Sequence, residues 1–169
     1  MSISLSSLVS APQLTLGTAI SLSGLTAGGF TGIPAGVKQI QMIFQGVSAS
    51  GTDDFLIRLG SGSYAATGYT SNTIDLQNTT PNVGGTANST GFDLPSGNAT
   101  TSLYGVANFV NITGNTWIAS INTGGTYSTF YFAYLVNGSV GLSGALDRIE
   151  IVTSGTNTFD AGTVNITYQ

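Results

Sequence analysis

Gln39-Ile40-Gln41-Met42-Ile43-Phe44-Gln45 sets apolar side chains at 40, 42 and 44 and amides at 39, 41 and 45, with Ile43 the one apolar residue out of step. In an extended chain, successive side chains point to opposite faces. Ile40, Met42 and Phe44 therefore line one face, and Gln39, Gln41 and Gln45 line the other. A helix would scatter the same residues around its axis. The stretch reads as a half-buried β-strand, and the same period recurs on either side of it.

Val164, Ile166 and Tyr168 alternate with Asn165 and Thr167 at the C-terminal end, and Ile149 and Ile151 alternate with Arg148 and Glu150. Leu14, Leu16, Ile20 and Leu22 share parity near the start. Phe55–Leu59 forms a short strand after the turn-like Ser50-Gly51-Thr52-Asp53. Tyr104, Val106, Val110 and Ile112 share one face of a longer segment. After Thr113-Gly114-Asn115 the alternation restarts at Trp117, Ala119 and Ile121, as in a hairpin. Thr129–Val136 is apolar on both faces: Phe130, Phe132, Tyr134 and Val136 oppose Tyr131, Ala133 and Leu135. Such a strand is central in a sandwich or covered by a neighbouring chain.

No segment carries a helical period, and turn signals recur at short spacing. The pattern predicts an all-β fold, a single-domain, jelly-roll-like antiparallel β-sandwich of about eight to ten strands. Residues 1–28 read as an N-terminal arm and first strand, and residues 29–169 as the sandwich. Residues 69–101, rich in Asn, Thr, Ser and Gly with Pro81 and Pro95, read as a long surface excursion with one short strand at Thr73–Leu76.

Only ten of the 169 residues are charged, the net charge is −4, and there is no His or Cys. Serine- and cysteine-nucleophile systems that need histidine are excluded, as are disulfides and thiolate metal sites. Lys38, Arg58 and Arg148 are the only cations, too few for nucleic-acid binding. No apolar run is long enough for a membrane-spanning helix, and Met1–Val9 lacks the charged start of a signal peptide, so the chain reads as mature from Met1.

Paired-carboxylate hydrolysis is the one enzyme chemistry the inventory leaves open. Asp147 and Glu150 are three apart and point to opposite faces of a strand, while Asp53 and Asp54 sit in a turn where solvation is the plain reading. Those two could also offer oxygen ligands to calcium, but no Asp-x-Asp-x-Asp-Gly loop accompanies them. The expectation is a non-enzymatic protein without a cofactor or metal. Six Asn-x-Ser/Thr triplets, at Asn78, Asn88, Asn98, Asn111, Asn137 and Asn165, are a weak signal in so Ser- and Thr-rich a chain. Among the aromatics Tyr64, Tyr69, Tyr104, Trp117, Tyr127 and Tyr131, strand parity assigns Trp117 to the core, and Tyr69 and Tyr127 are the candidates for contacting a sugar. Arg148 and Glu150, two apart on one strand face, read as a weak ion pair.

A surface of hydroxyls, amides and small apolar groups loses little hydration free energy when another protein covers it. Two apolar sets are candidate interfaces: Ile3, Leu5, Leu8 and Val9 at the N-terminus, and Tyr131, Ala133 and Leu135 in the doubly apolar strand.

Further stretches carry a resemblance. They are Phe30-Thr-Gly-Ile-Pro34, Val37-Lys38 with Ile40, Phe44-Gln-Gly-Val-Ser-Ala-Ser-Gly51, Leu59-Gly-Ser-Gly62 and Thr67-Gly-Tyr69. Ser89-Thr-Gly-Phe92, Asn115-Thr-Trp-Ile-Ala-Ser120, Leu142-Ser-Gly-Ala-Leu146 and Phe159-Asp-Ala-Gly-Thr-Val-Asn-Ile-Thr-Tyr168 continue it. In this order they resemble a family of small β-rich modules of tailed bacteriophages and prophages, associated with virions and fibres. The resemblance implies a virion structural protein of sandwich fold, oligomeric and here expected to be a homotrimer, with no catalytic residues to carry over. Members often have a basic pair where this chain has Lys38-Gln39, and many follow a fibre-like stalk that residues 1–28 do not supply. That departure favours a capsid decoration or cement protein docked on the major capsid protein. The alternative is a short tail-fibre or receptor-binding tip that is held by tail or baseplate proteins and recognises a host-surface glycan.

Overall fold

A computed structural model describes residues 13–78, 84–96 and 98–169. The described residues form fourteen strands: β1 (Thr15–Leu16), β2 (Ile20–Ser21), β3 (Ala27–Thr31), β4 (Gln39–Ala49), β5 (Phe55–Ser61), β6 (Ser63–Tyr64), β7 (Tyr69–Gln77), β8 (Gly84–Asn88), β9 (Phe92–Leu94), β10 (Ser102–Thr113), β11 (Thr116–Tyr127), β12 (Phe130–Gly141), β13 (Arg148–Thr153) and β14 (Phe159–Tyr168). They form an antiparallel sandwich. A nine-stranded sheet runs β1-β14-β4-β10-β11-β12-β7-β8 with β2 also on β14, and it faces a five-stranded sheet, β3-β13-β5-β6, with β9 also on β5. The single-domain antiparallel β-sandwich read from the sequence is the fold observed.

The alternating segments become strands because one face of each can be buried. Ile40, Met42 and Phe44 of β4 lie between Val164 and Ile166 of β14 and Ala107 and Phe109 of β10, all buried on the inner side of the large sheet. Ile149 and Ile151 of β13 and Ile57 and Leu59 of β5 meet them from the small sheet. Aromatic pairs add directional packing between the layers: Phe55 with Phe159 at 5.2 Å, and Phe92 with Phe109 at 5.6 Å between ring centroids.

A bulge bends β4. Its register shifts against both neighbours at Gly46, which has φ 62°, and Gly162 of β14 opposes the bulge with φ 111°. A Cβ on Gly162 would stand 2.6 Å from Val47 Cα, so only glycine fits both the backbone conformation and the close approach.

Three readings of the sequence need correction. Residues 69–101 are not a surface excursion, since β7, β8 and β9 fall within them and Phe92 and Leu94 are fully buried. Their Ser- and Thr-rich composition hid this because β7 turns small polar side chains inward. Ser71 Oγ accepts from Asp93 N at 3.2 Å, and Thr73 Oγ1 donates to Asp93 O at 2.9 Å, so side chains of one sheet satisfy the backbone of β9 in the other. Secondly, the one first strand read within residues 1–28 is two short strands, β1 and β2, both paired with β14. Gly17 N–H donates to Ile166 O at 2.8 Å between β1 and β2, and Leu22 is completely buried. Thirdly, Arg148 pairs with Asp147, with Nε 2.8 Å from Oδ1, and not with Glu150. Glu150 lies opposite Arg58 in the register of β13 and β5.

The inward placement of Phe92 has a measurable consequence. Phe92→Ala should lower the unfolding free energy by about 3–5 kcal/mol, the usual cost of emptying a buried aromatic site. Urea denaturation checks this, and a change within about 0.5 kcal/mol, the scale of a surface substitution, would restore the excursion.

Candidate functional site

Two features distinguish the large sheet: its outer face, and a cavity under one end of its inner face. On the outer face the register aligns side chains into rows across the strands. One row is polar, running Thr167, Gln41, Asn108, Ser120, Asn137 and Asn72 from β14 to β7. Gln41 Nε2 donates to Asn108 Oδ1 at 3.0 Å within it. The next row, Asn165, Ile43, Val106, Asn122, Leu135 and Ile74, mixes amides with aliphatic side chains. Val110 and Ile118 are opposed beyond the polar row, and Tyr104, Gly124, Ala133 and Leu76 align on the far side.

Tyr131 and Ile112 are both 64% exposed, and Leu135 is 38% exposed. The alternating positions of β4, β7, β10, β11 and β12 that make up this face carry no charged side chain among the described residues. Charges stand at its margins. Lys38 Nζ donates to Asn111 Oδ1 at 2.9 Å, and Asp160 accepts from Ser48 Oγ. Arg58, Arg148 and Glu150 belong to the small sheet, where the Arg148 guanidinium lies 5.7 Å from the centre of the Tyr64 ring.

Tyr131, Ala133 and Leu135 are thus brought together on this face, with Ala133 half-buried. Tyr104, Val106, Val110 and Ile112 share one face as their parity requires, and that face is the outer one, while Leu103, Ala107 and Phe109 face the core. Ile3, Leu5, Leu8 and Val9 lie outside the described residues.

The cavity arises from unequal strand lengths. β10, β11 and β12 each span 12 residues, while β5 spans 7 and β13 spans 6, so the large sheet overhangs the small one. Beneath the overhang a space of about 300 Å³ is lined by Asp75 and Gln77 of β7, Tyr127 of β11, Phe132 and Tyr134 of β12, and Pro95, Ser96, Asn98 and Thr101. Ser96 N–H donates to Asp54 Oδ1 at 2.9 Å, and Thr101 Oγ1 donates to Ser96 O at 2.8 Å. Asn98 Oδ1 accepts from Thr100 N at 3.0 Å, an Asx turn that shapes the same wall. Tyr127 is half-buried and its ring stacks on Phe130 at 5.4 Å.

Tyr69 is not a ligand contact. It is buried, it accepts from Leu59 N–H at 2.8 Å, and its phenol donates to Leu59 O at 3.3 Å. Burial pushes the phenol up to about 12. Asp53 and Asp54 are also engaged: Asp53 Oδ2 accepts from Asn157 N at 2.8 Å, and Asp54 N–H donates to Ser154 Oγ at 3.0 Å. They brace loops rather than facing solvent as a free pair. Among the described residues no three acidic side chains converge on a possible metal position. The amides of Asn111 and Asn165 donate to backbone oxygens of Gly114 and Gly17, which gives these triplets a structural role.

No family model matches the chain, and comparison with curated proteins and with solved structures gives no match.

Asp93 carries a pH dependence. It is buried on β9, and burial, then the Asp54 carboxylate, push its pKa up to about 6 against the pull of hydrogen bonds from Thr86 and Asn88. A raised carboxyl pKa means that folding favours the protonated form. The stabilisation is fully present below the ordinary value of 3.8 and is lost as pH rises through about 6. Thermal melts of the wild type and Asp93→Asn should therefore converge near pH 3.5 and diverge by pH 7, with the variant higher. A constant difference across that range would contradict the assignment.

Proposed function

We propose that this protein is a structural component of a tailed-phage particle, a capsid decoration or cement protein that assembles with copies of itself. The outer face of the nine-stranded sheet is the observation that carries the reading. Seven strands spaced about 4.8 Å apart and roughly nine residues tall give a face on the order of 900 Å². Standard interfaces bury about 800 Å² per partner, so this face is large enough for a specific contact.

A second copy is the occupant that its chemistry favours. Charged partners would lose hydration against a face with no counter-charge, whereas a row of amides and hydroxyls offers donors and acceptors to an identical row. Aliphatic side chains on either side of that row exclude water once the contact forms. Closed homo-oligomers meet such self-complementarity without open-ended growth, and the family resemblance favours a trimer. The rest of the protein then faces the particle, where docking on the major capsid protein is non-covalent. Residues 1–12, with Ile3, Leu5, Leu8 and Val9, supply an apolar segment for it.

Quantitative mass spectrometry of purified particles tests this reading. The expected result is hundreds of copies, localised on the head by labelled-antibody imaging. A count in the low tens confined to the tail would replace it with the fibre-tip alternative.

A further inference from the structure

The overhang cavity holds polar groups that the fold itself does not satisfy. Asp75 Oδ2 accepts from Gln77 Nε2 at 2.6 Å, while Asp75 Oδ1 is buried with no partner. Ser96 is 6% exposed, and its Oγ is likewise buried and unpartnered. Leaving such atoms unmet costs about 1–3 kcal/mol each, and both belong to residues that line this one cavity. Both backbone groups of Ser96 are already engaged, by Asp54 and Thr101, and this fixes the wall before any ligand arrives.

The opposite wall is aromatic. Tyr127 is braced by Phe130, and Phe132 packs on Tyr134 at 4.8 Å. Among the described residues no Lys or Arg lines the space, and the one charged lining group is the carboxylate of Asp75. An anionic ligand is therefore disfavoured, and a purely apolar one would leave Asp75 and Ser96 unmet. A volume of about 300 Å³ suits a single sugar ring.

We propose that this cavity binds a neutral saccharide, with the Tyr127 ring against the C–H face of a pyranose and Asp75, Gln77 and Ser96 hydrogen-bonded to its hydroxyls. The ring supplies apolar contact and the carboxylate accepts from sugar O–H groups, the pairing that a polyhydroxylated but partly apolar ligand needs. The cavity lies on the inner side of the large sheet, so the site does not depend on what covers the outer face.

Saturation-transfer NMR on the full chain tests the proposal with glucose, galactose, mannose and N-acetylglucosamine, each at about 10 mM to reach millimolar affinities. Transfer to at least one sugar is expected. It should fall about tenfold in Asp75→Asn and in Tyr127→Ala, and persist in Tyr104→Ala on the outer face. Thermal melts verify that each variant is folded, and Ser96→Ala serves if Tyr127→Ala is not.

A parallel arm with immobilised bacterial surface polysaccharides separates a host-surface source from a free sugar, and binding in either arm supports the site. Silence in both arms overturns the proposal. So does transfer unchanged in Asp75→Asn and Tyr127→Ala, or binding of cadaverine at the same residues while all sugars stay silent.

Discussion

The register of β4 between β14 and β10 is the constraint on which the rest of the molecule depends. Met42 is opposed by Ile166 on one side and Ala107 on the other, and these side chains all point into the core. Because the strand period is two, a slip of one residue would exchange the faces, sending Gln41, Asn108 and Thr167 inward. Burying that amide row without partners would cost far more than the native alternation. The inner apolar rows thus hold the outer polar row in place. The face assigned to self-association is a consequence of the core, set by the same pairing.

Much of this was legible in the sequence. Gln39–Gln45 and Val164–Tyr168 alternate because each has one wet and one dry face. Tyr104, Val106, Val110 and Ile112 were grouped correctly, but periodicity alone could not say which side was buried. Leu103, Ala107 and Phe109 face the core because the register sets them opposite Val47, Met42 and Ile40, the inward residues of β4. Residues 69–101 were misread for a different reason. Ser71 and Thr73 replace apolar residues on an inward face, and their hydroxyls bond the backbone of β9, a long-range pairing that composition does not reveal. Tyr69 was a reasonable aromatic candidate, yet its phenol is consumed by the Leu59 backbone.

The cavity was partly visible. Tyr127 stands out among the aromatics, and the apolar inner side of Thr129–Val136 supplies Phe132 and Tyr134 to the same wall. Asp75, Gln77 and Ser96 do not stand out, since they converge only through the overhang of long strands past short ones. The sparse charge takes on a spatial meaning as well. Arg58, Arg148 and Glu150 are gathered on the small sheet, and the wide sheet presents amides, hydroxyls and aliphatic groups to whatever it meets. Such a surface has few ions that must lose their water when another protein covers it.

Sedimentation equilibrium of the full chain against Leu135→Lys tests self-association through that face most directly. Leu135 lies on the outer face, on β12, and is 38% exposed, so the lysine can be accommodated in the monomer while placing a charge at the contact. The account predicts a multiple of 17.2 kDa for the wild type and 17.2 kDa for the folded variant. A wild type that remains at 17.2 kDa at micromolar concentration, or a variant that assembles equally well, would contradict it.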